Sequence, residues 1–339
     1  MNILVTGGAG FIGSHTVVAL STAGFNPVIL DDFSNSEIRT LKGLEKIMGY
    51  IPRYYAENCC DAQVVRRILK EEQISGVIHF AAFKSVGESM QEPLKYYDNN
   101  LNSLIVLTRS MMECEISNLI FSSSATVYGQ AAALPATEDA PIPVAMSVYG
   151  NTKQIGEEIL RDIALAEKSL KSTSLRYFNP IGAHPSAYIG ELPLGVPNNL
   201  VPYITQTAAG LRPALTVFGD DYPTPDGTCL RDFIHVMDLA EAHVVALQYL
   251  MNYPSNTFYD VFNIGTGKAN SVLEIIRTFE NISGKPLQYR FGDRRSGDVT
   301  SLYADVSKIE KHLGWTAQRT MREALEDAWR WQQSLATGG

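Results

Sequence analysis

The chain has 339 residues, 45% of them apolar and 19% charged, with a formal net charge of −8. That length suits one large or two ordinary domains with a continuous core. The acidic balance argues against nucleic acid or an anionic membrane as the main partner, and no run approaches 18 uncharged apolar residues, so no membrane span is expected.

The first half alternates short β-branched runs with longer helical patterns. "NILVT" (2–6), "PVILD" (27–31), "GVIHF" (76–80), "NLIFSS" (118–123) and "TSLRYF" (173–178) read as buried strands, with a weaker one at "RYYAE" (53–57). Helical patterns cover Pro93 to Met112 and Tyr149 to Lys168. This alternation predicts an α/β fold, a doubly wound parallel sheet of Rossmann type with helices on both faces. After about residue 180, Pro and Gly crowd 179–199 and 219–228, which predicts long functional loops. Helices resume at 236–252, at 270–283, where Ser271 and Glu274 suit a capping box, and at 320–335. The expected organisation is a dinucleotide-binding domain over 1–180 and a smaller C-terminal lobe over 181–339, with elements such as 231–262 packing back on the first domain.

Cys59, Cys60, Cys114 and Cys229 show neither C-x-x-C nor His-spaced metal patterns, so no metal is expected. The adjacent Cys59 and Cys60 read as buried strand-end packing, and this usage fits a reducing cytoplasm. "MNILVTGGAGFIG" lacks a basic leader, and no targeting segment is expected. His79 and His235 lie in apolar strand contexts and read as core residues.

Directly after the first strand, Gly7, Gly10 and Gly13 form G-x-x-G-x-x-G, and Gly8, Gly10 and Gly13 form G-x-G-x-x-G. Glycines allow the tight turn and let backbone approach a pyrophosphate at a helix N-terminus. Asp31 ends the second strand 18 residues past Gly13, where a ribose-binding acid belongs. An acid there repels a 2′-phosphate, which favours NAD over NADP.

Ser122, Ser123 and Ser124 end a buried strand, where open α/β sheets place their ligands. Tyr149 and Lys153 follow, four residues apart. An i,i+4 pair is common on solvated helices, and a strand-end serine commonly bonds to backbone. With the glycine turn, however, the three suit a proton-transfer set. A phenol with a pKa near 10 is a poor base at neutral pH. A lysine ammonium one turn away, with a positive nicotinamide ring, stabilises phenolate.

"TGGAGFIG", "SSSATVYG" and "YGNTK" resemble the extended short-chain dehydrogenase/reductase family. More narrowly, "HFAAFKSVGESMQEPLKYYDNN", "RYFNPIGAHPS", "VPNNLVPYITQ" and "VFGDDYPTPDGTCLRDFIHVMDLA" resemble the UDP-glucose 4-epimerases, over essentially the whole chain. The resemblance implies epimerisation of UDP-glucose and UDP-galactose at carbon 4, through a transient 4-keto sugar, with tightly held NAD and with Tyr149 as base beside Ser124 and Lys153. It also implies a cytoplasmic homodimer formed by the helices near 93–113 and 149–168. It assigns Phe80, Lys84 and Asn99 to the nicotinamide side and Asp31, Asp32 and Asn35 to the adenosine side. Gly7, Gly10, Phe11, Ile12, Gly13, Asn58, Cys59, Ala81, Ser122, Tyr177 and Phe178 complete the cofactor set. For the UDP-sugar it carries over Ser124, Asn179, Asn199, Leu200, Thr216, Val217, Phe218, Arg231, Arg295, Asp298 and Leu302. Arginine suits phosphate oxygens, and Arg231 and "RRSGD" (294–298) are cations in loops of an acidic protein.

Three departures stand out. Asn58 falls where an Asp is expected near the adenine, Phe233 where a Tyr is frequent, and Leu302 where some members have Tyr and others a small residue. The last implies a pocket that also admits UDP-N-acetylglucosamine and UDP-N-acetylgalactosamine. Related dehydratases place an acid beside the serine, whereas this chain has Ala125 and Thr126. The remaining alternatives are another UDP-sugar 4-epimerase of the same family or a catalytically silent NAD-binding sensor or scaffold. Retention of both Tyr149 and Lys153 speaks against the silent form.

Overall fold

A computed structural model describes residues 1–166, 169–295 and 297–336. In chain order it contains β1 (Asn2–Thr6), α1 (Phe11–Thr22), β2 (Asn26–Leu30), α2 (Arg39–Met48), β3 (Arg53–Tyr55), α3 (Ala62–Glu71), β4 (Ile74–His79), α4 (Val86–Gln91), α5 (Pro93–Glu113), β5 (Asn118–Ser122), α6 (Val148–Leu165) and β6 (Lys171–Tyr177). Then come β7 (Asn179–Ile181), α7 (Leu200–Ala208), β8 (Leu215–Phe218), β9 (Leu230–Arg231), β10 (Phe233–His235), α8 (Val236–Met251) and β11 (Phe258–Ile264). The chain closes with β12 (Asn270–Ser271), α9 (Val272–Ser283), β13 (Tyr289–Gly292), β14 (Ser301–Leu302), α10 (Ser307–Leu313) and α11 (Met321–Ala336). Of the helix expected over Tyr149 to Lys168, positions 167 and 168 lie outside the described residues.

Seven strands make one parallel sheet in the order β11-β6-β5-β4-β1-β2-β3. The runs of buried side chains on both faces of β1, β2, β4, β5 and β6 are what a sheet sandwiched between helices demands. Helices α1, α2 and α8 cover one face, where Val17, Leu20, Leu44 and Leu247 pack against Ile3, Val5, Ile29 and Ile78. Helices α3, α5 and α6 cover the other, where Val65, Ile68, Leu104, Leu107 and Leu160 meet Leu4, Val28, Val77 and Leu119. Strand order reverses at β1, which pairs with β2 on one side and β4 on the other. A crevice therefore opens at their carboxyl ends.

A separate apolar cluster joins α7, α9 and α11 through Ile204, Ile275, Phe279, Leu325 and Trp329. The Ser271–Glu274 capping box starts α9 as expected. Short strand pairs β10–β7 and β13–β8 and the three-stranded β12-β9-β14 carry the loops around it. No helix among the described residues is long and apolar enough to cross a membrane.

Candidate active site

The crevice is a cleft of about 280 Å³ that runs from Asp31 and Asn58 to Tyr149 and Lys153. Its floor is the glycine turn. A side chain on Gly13 would sit 2.2 Å from the Gly7 carbonyl oxygen, and one on Gly7, at φ +70°, would sit 2.8 Å from the Ala81 nitrogen. Only bare backbone fits where the turn following β1 meets the end of β4. Gly10 precedes α1 without a side-chain cap. The first amides of that helix, at Phe11, Ile12 and Gly13, therefore lie free of a cap at the cleft lining, as an anion-binding helix start requires.

At the far end, Asp31 Oδ2 accepts from Ala9 N (2.9 Å), while Oδ1 accepts from Phe33 N (3.0 Å) and Ser36 Oγ (2.8 Å). An ionised carboxylate offers about four acceptor sites, so capacity for a ribose hydroxyl remains. Burial raises the Asp31 pKa above its usual value, and these donors oppose that rise. Asp32, Asn35, Asn58 and Cys59 line the same end. Asn58 Oδ1 accepts from Cys60 N at 2.7 Å, so its amide oxygen is partly engaged within its own turn. A bare turn, an uncapped helix start, an acid at the end of β2 and a cleft linking them fit a dinucleotide.

Tyr149 opens the first turn of α6, which is capped by Ser147 Oγ accepting from Gly150 N at 3.0 Å. Lys153 lies one turn on. Its buried Nζ donates to the Ser122 carbonyl (2.7 Å), lies 4.9 Å from the Phe121 ring centre and stands 5.8 Å from that of Tyr149. Burial lowers the Lys153 pKa to about 8, and Glu157 opposes the shift. Burial also pushes the Tyr149 phenol well up, Tyr177 adds to this, and the Ser124 hydroxyl pulls it back. The protein alone thus keeps the phenol protonated beside a lysine close to its titration point. A positive charge added to this cleft favours phenolate.

Of the expected cofactor residues, all line the cleft except Ser122 and Phe178. The Ser122 hydroxyl is turned to Tyr177 Oη at 2.8 Å. Phe178 is buried, 6.4 Å from the Tyr128 ring. Ser124 also lies outside the lining. Its Oγ accepts from Thr126 N at 3.2 Å and caps the 3₁₀ turn Ala125–Tyr128.

Among the expected UDP-sugar residues only Asn199 lines this cleft. Arg231 Nη2 stands 3.5 Å from Asp298 Oδ1, and Arg295 lies over Phe218 at 4.5 Å. Thr216, Val217 and Phe218 are on β8, which pairs with β13, and Val217 is buried in the second core. Asn179 is exposed on β7, and Leu200 is the first residue of α7. Leu302 pairs with Arg231 across β14 and β9 and is buried against Phe178, Ala125 and Val299. Phe233 is buried in the α7–α9–α11 core.

Some positioning residues carry no local sequence signal. Ser89 Oγ accepts from Tyr149 N at 3.1 Å. Asn100 bonds both Phe83 N and O and Thr152 Oγ1, which locks the loop after β4 to α6. Buried Glu157 accepts from Ser123 Oγ and pairs with Arg176 at 2.6 Å. Glu191 bridges Lys84 (3.5 Å) and Asn199 (2.5 Å), while its backbone oxygen accepts from Trp331 Nε1. Among the described residues no His, Cys, Asp and Glu group could hold a metal ion.

Fold and cleft together define a Rossmann-type protein of the extended short-chain dehydrogenase/reductase class. Residues 4–328 match a family described as GDP-mannose 4,6 dehydratase. A UDP-glucose 4-epimerase of Neisseria meningitidis serogroup B is 51% identical over 336 residues, 99% of this chain and 98% of the relative. The structure of the Stenotrophomonas maltophila UDP-glucose 4-epimerase, with bound NAD and formylated UDP-arabinopyranose, superposes with a TM-score of 0.96 at 44% identity, covering 100% of both chains. That of Bifidobacterium longum, with NAD and UDP, gives 0.95 at 43%, again over 100% of both. The chain belongs to the UDP-glucose 4-epimerase family.

Proposed function

We propose that this protein is an NAD-dependent enzyme that interconverts UDP-glucose and UDP-galactose at carbon 4. The observation that carries this reading is one cleft that joins the glycine turn and Asp31 to the Tyr149–Lys153 pair. The amides at the start of α1 hold the pyrophosphate, Asp31 holds the adenosine ribose, and Lys84 and Asn99 face the nicotinamide end. NAD supplies a two-electron acceptor at the sugar's carbon 4 and a positively charged ring. Tyr149 Oη, as phenolate, takes the proton of the carbon 4 hydroxyl and later returns it. Lys153 stabilises that phenolate, and the Ser124 hydroxyl hydrogen-bonds to the sugar oxygen. Arg231, Arg295 and Asp298 grip the UDP, with Asn179, Asn199, Leu200 and residues 216–218 around it. Held by its diphosphate, the 4-keto sugar turns over before the proton returns, so the cofactor needs no exchange. Purified protein should therefore carry NAD and convert UDP-galactose to UDP-glucose with none added. Absence of that turnover at full NAD occupancy would reject the assignment.

Residues 1–180 serve the cofactor and 181–339 the UDP-sugar, with α8 and β11 returned to the first part. Exposed Leu94 and Ile105 on α5 favour a homodimer through α5 and α6, which a monomeric sedimentation coefficient at micromolar protein contradicts. Four free cysteines suit the cytoplasm. A second reading rests on Leu302. Leu302 is buried in the cluster with Phe178, which supports Leu302 rather than Tyr303 as the residue beside the sugar. Leucine leaves the space a phenol fills, so N-acetylated UDP-hexoses are accepted too.

A further inference from the structure

Asn58, Cys59 and Cys60 form the turn between β3 and α3 at the adenosine end of the cleft. Two hydrogen bonds hold it, from Cys60 N to Asn58 Oδ1 (2.7 Å) and from Asp61 N to Asn58 O (3.1 Å). Asp61 then caps α3 through Gln63 N and Val64 N. Cys59 is buried and lines the cleft, whereas Cys60 is half-exposed, outside the lining, with its Sγ 3.7 Å from the Asn99 carbonyl. The two thiols belong to consecutive residues of one turn. The strand-end packing expected for the pair accounts for Cys59 and not for Cys60.

We propose that Cys59 and Cys60 form a redox-sensitive dithiol whose closure to a disulfide between neighbours loosens the hold on the adenosine end of NAD. This rests on the reading of the cleft as the NAD site. Cys60 is the attacking sulfur. It is the accessible one, and the Cys59 thiol beside it lowers its pKa, while Cys60 and burial raise that of Cys59. The Cys60 thiolate attacks one sulfur of a small-molecule disulfide and expels the first thiolate. Cys59 then gives up its proton, attacks Cys60 Sγ and expels the second. Two S–H bonds and the oxidant's S–S bond are lost; one protein S–S bond and two small thiols form, and the protein's two electrons pass to the oxidant. The small ring so made constrains the Cys59–Cys60 peptide, and the turn cannot keep both bonds to Asn58. Asn58 and Cys59, which line the cleft, shift with it.

The test treats the NAD-loaded protein with glutathione disulfide and reads three quantities: free thiols, the mass of the peptide spanning Cys59 and Cys60, and NAD retained after gel filtration. We expect two of the four thiols to disappear, that peptide to lose two hydrogens, and cofactor affinity to fall about tenfold or more, all reversed by dithiothreitol. Cys60→Ser should keep its NAD under the same treatment. A stable glutathione adduct on Cys60 overturns the proposal, as does a closed disulfide with NAD fully retained. The peptide mass needs no variant, so a misfolded Cys60→Ser leaves the test intact. Untreated protein that binds no NAD counts against the cleft assignment itself, and with it against an effect of closure on the cofactor.

Discussion

The Gly7–Gly13 turn and the Arg231–Asp298 pair belong to the cofactor and sugar parts of the proposed site and are held in different ways. The turn is fixed by backbone against backbone: Gly10 N donates to Gly7 O, Ser14 N to Gly10 O, and Gly7 N to Leu30 O. Arg231 sits on a two-residue strand and is aimed by side-chain contacts, with Nη1 on Leu230 O (2.8 Å) and Nη2 near Asp298. Main-chain contact tolerates almost no substitution and leaves a mark that any reader of the sequence can see. Side-chain aim is more permissive and leaves little.

The largest expected effect belongs to neither of these parts but to the proton-transfer pair. Tyr149→Phe keeps the fold and bound NAD but lowers turnover by at least about 100-fold, the scale of a general base; near-normal steady-state rates reject its role. Gly13→Ala tests the rigid part, since its new methyl lies 2.2 Å from a backbone oxygen. Overpacking of this kind costs roughly 1–3 kcal/mol or more, and the purified variant should carry little NAD. Gly292→Ala is its counterpart in the other half, where, among the described residues, the methyl meets only the Thr216 Cγ2 at 2.9 Å. Its NAD content should be normal, and equal loss in both variants would erase the contrast. Arg231→Ala removes charge-assisted hydrogen bonding worth about 1.5–3 kcal/mol, so kcat/KM for the UDP-sugar should fall roughly 10–150-fold with NAD content unchanged. Loss of NAD instead would mean that the two parts are not separable.

Leu302→Tyr should reduce kcat/KM on UDP-N-acetylglucosamine by at least about tenfold and largely spare UDP-galactose, measured side by side. Wild type that ignores the N-acetylated sugar removes the premise. A separate effect, on stability rather than turnover, is a pH dependence of the sheet half. Burial lowers the pKa of His15 and His79 from 6.5 to about 3 and that of His243 to about 4. Below pH 6.5 the unfolded chain takes up these protons and the folded one does not, so stability falls as pH drops toward 4. Each histidine contributes a slope approaching about 1.4 kcal/mol per pH unit within that window. Urea titrations at pH 7 and pH 5 should show the decline, and His243→Phe should make it shallower.

Strands β1 to β6 are legible in the sequence because each is an apolar run with turn residues at its ends. Boundaries moved by a few residues at most, as at β6, which begins at Lys171 rather than 173. No strand is assigned from sequence to β11, although part of 231–262 is expected to return to the sheet. Polar Asp260 and Asn263 interrupt its pattern, and Asn263 is satisfied from far away, by Ala136 O and Asp305 O. The two-residue strands β9, β12 and β14 are too short for any periodicity. On the site, glycines, Asp31, Tyr149 and Lys153 announce themselves by spacing, whereas most of the UDP residues rest on resemblance, only Arg231 and the arginines of 294–298 standing out as loop cations in an acidic chain. Ser89, Asn100 and Glu191 act through contacts distant in sequence, and no local pattern marks them.

Strand β11 lies at the edge of the large sheet yet is the last of its strands in the chain, reached only after the excursion through α7 and α8. A ribosome therefore releases β6 long before its neighbour exists. Until residue 264 emerges, β6 shows an open edge of unpaired backbone on a strand buried on both faces, the kind of edge that recruits foreign strands. Pairing across that separation closes a long loop and is slow on topological grounds. A fragment cut at residue 180 would keep the glycine turn, Asp31, Tyr149 and Lys153 and still be prone to aggregate, because its sheet finishes folding only with a strand that comes after residue 257.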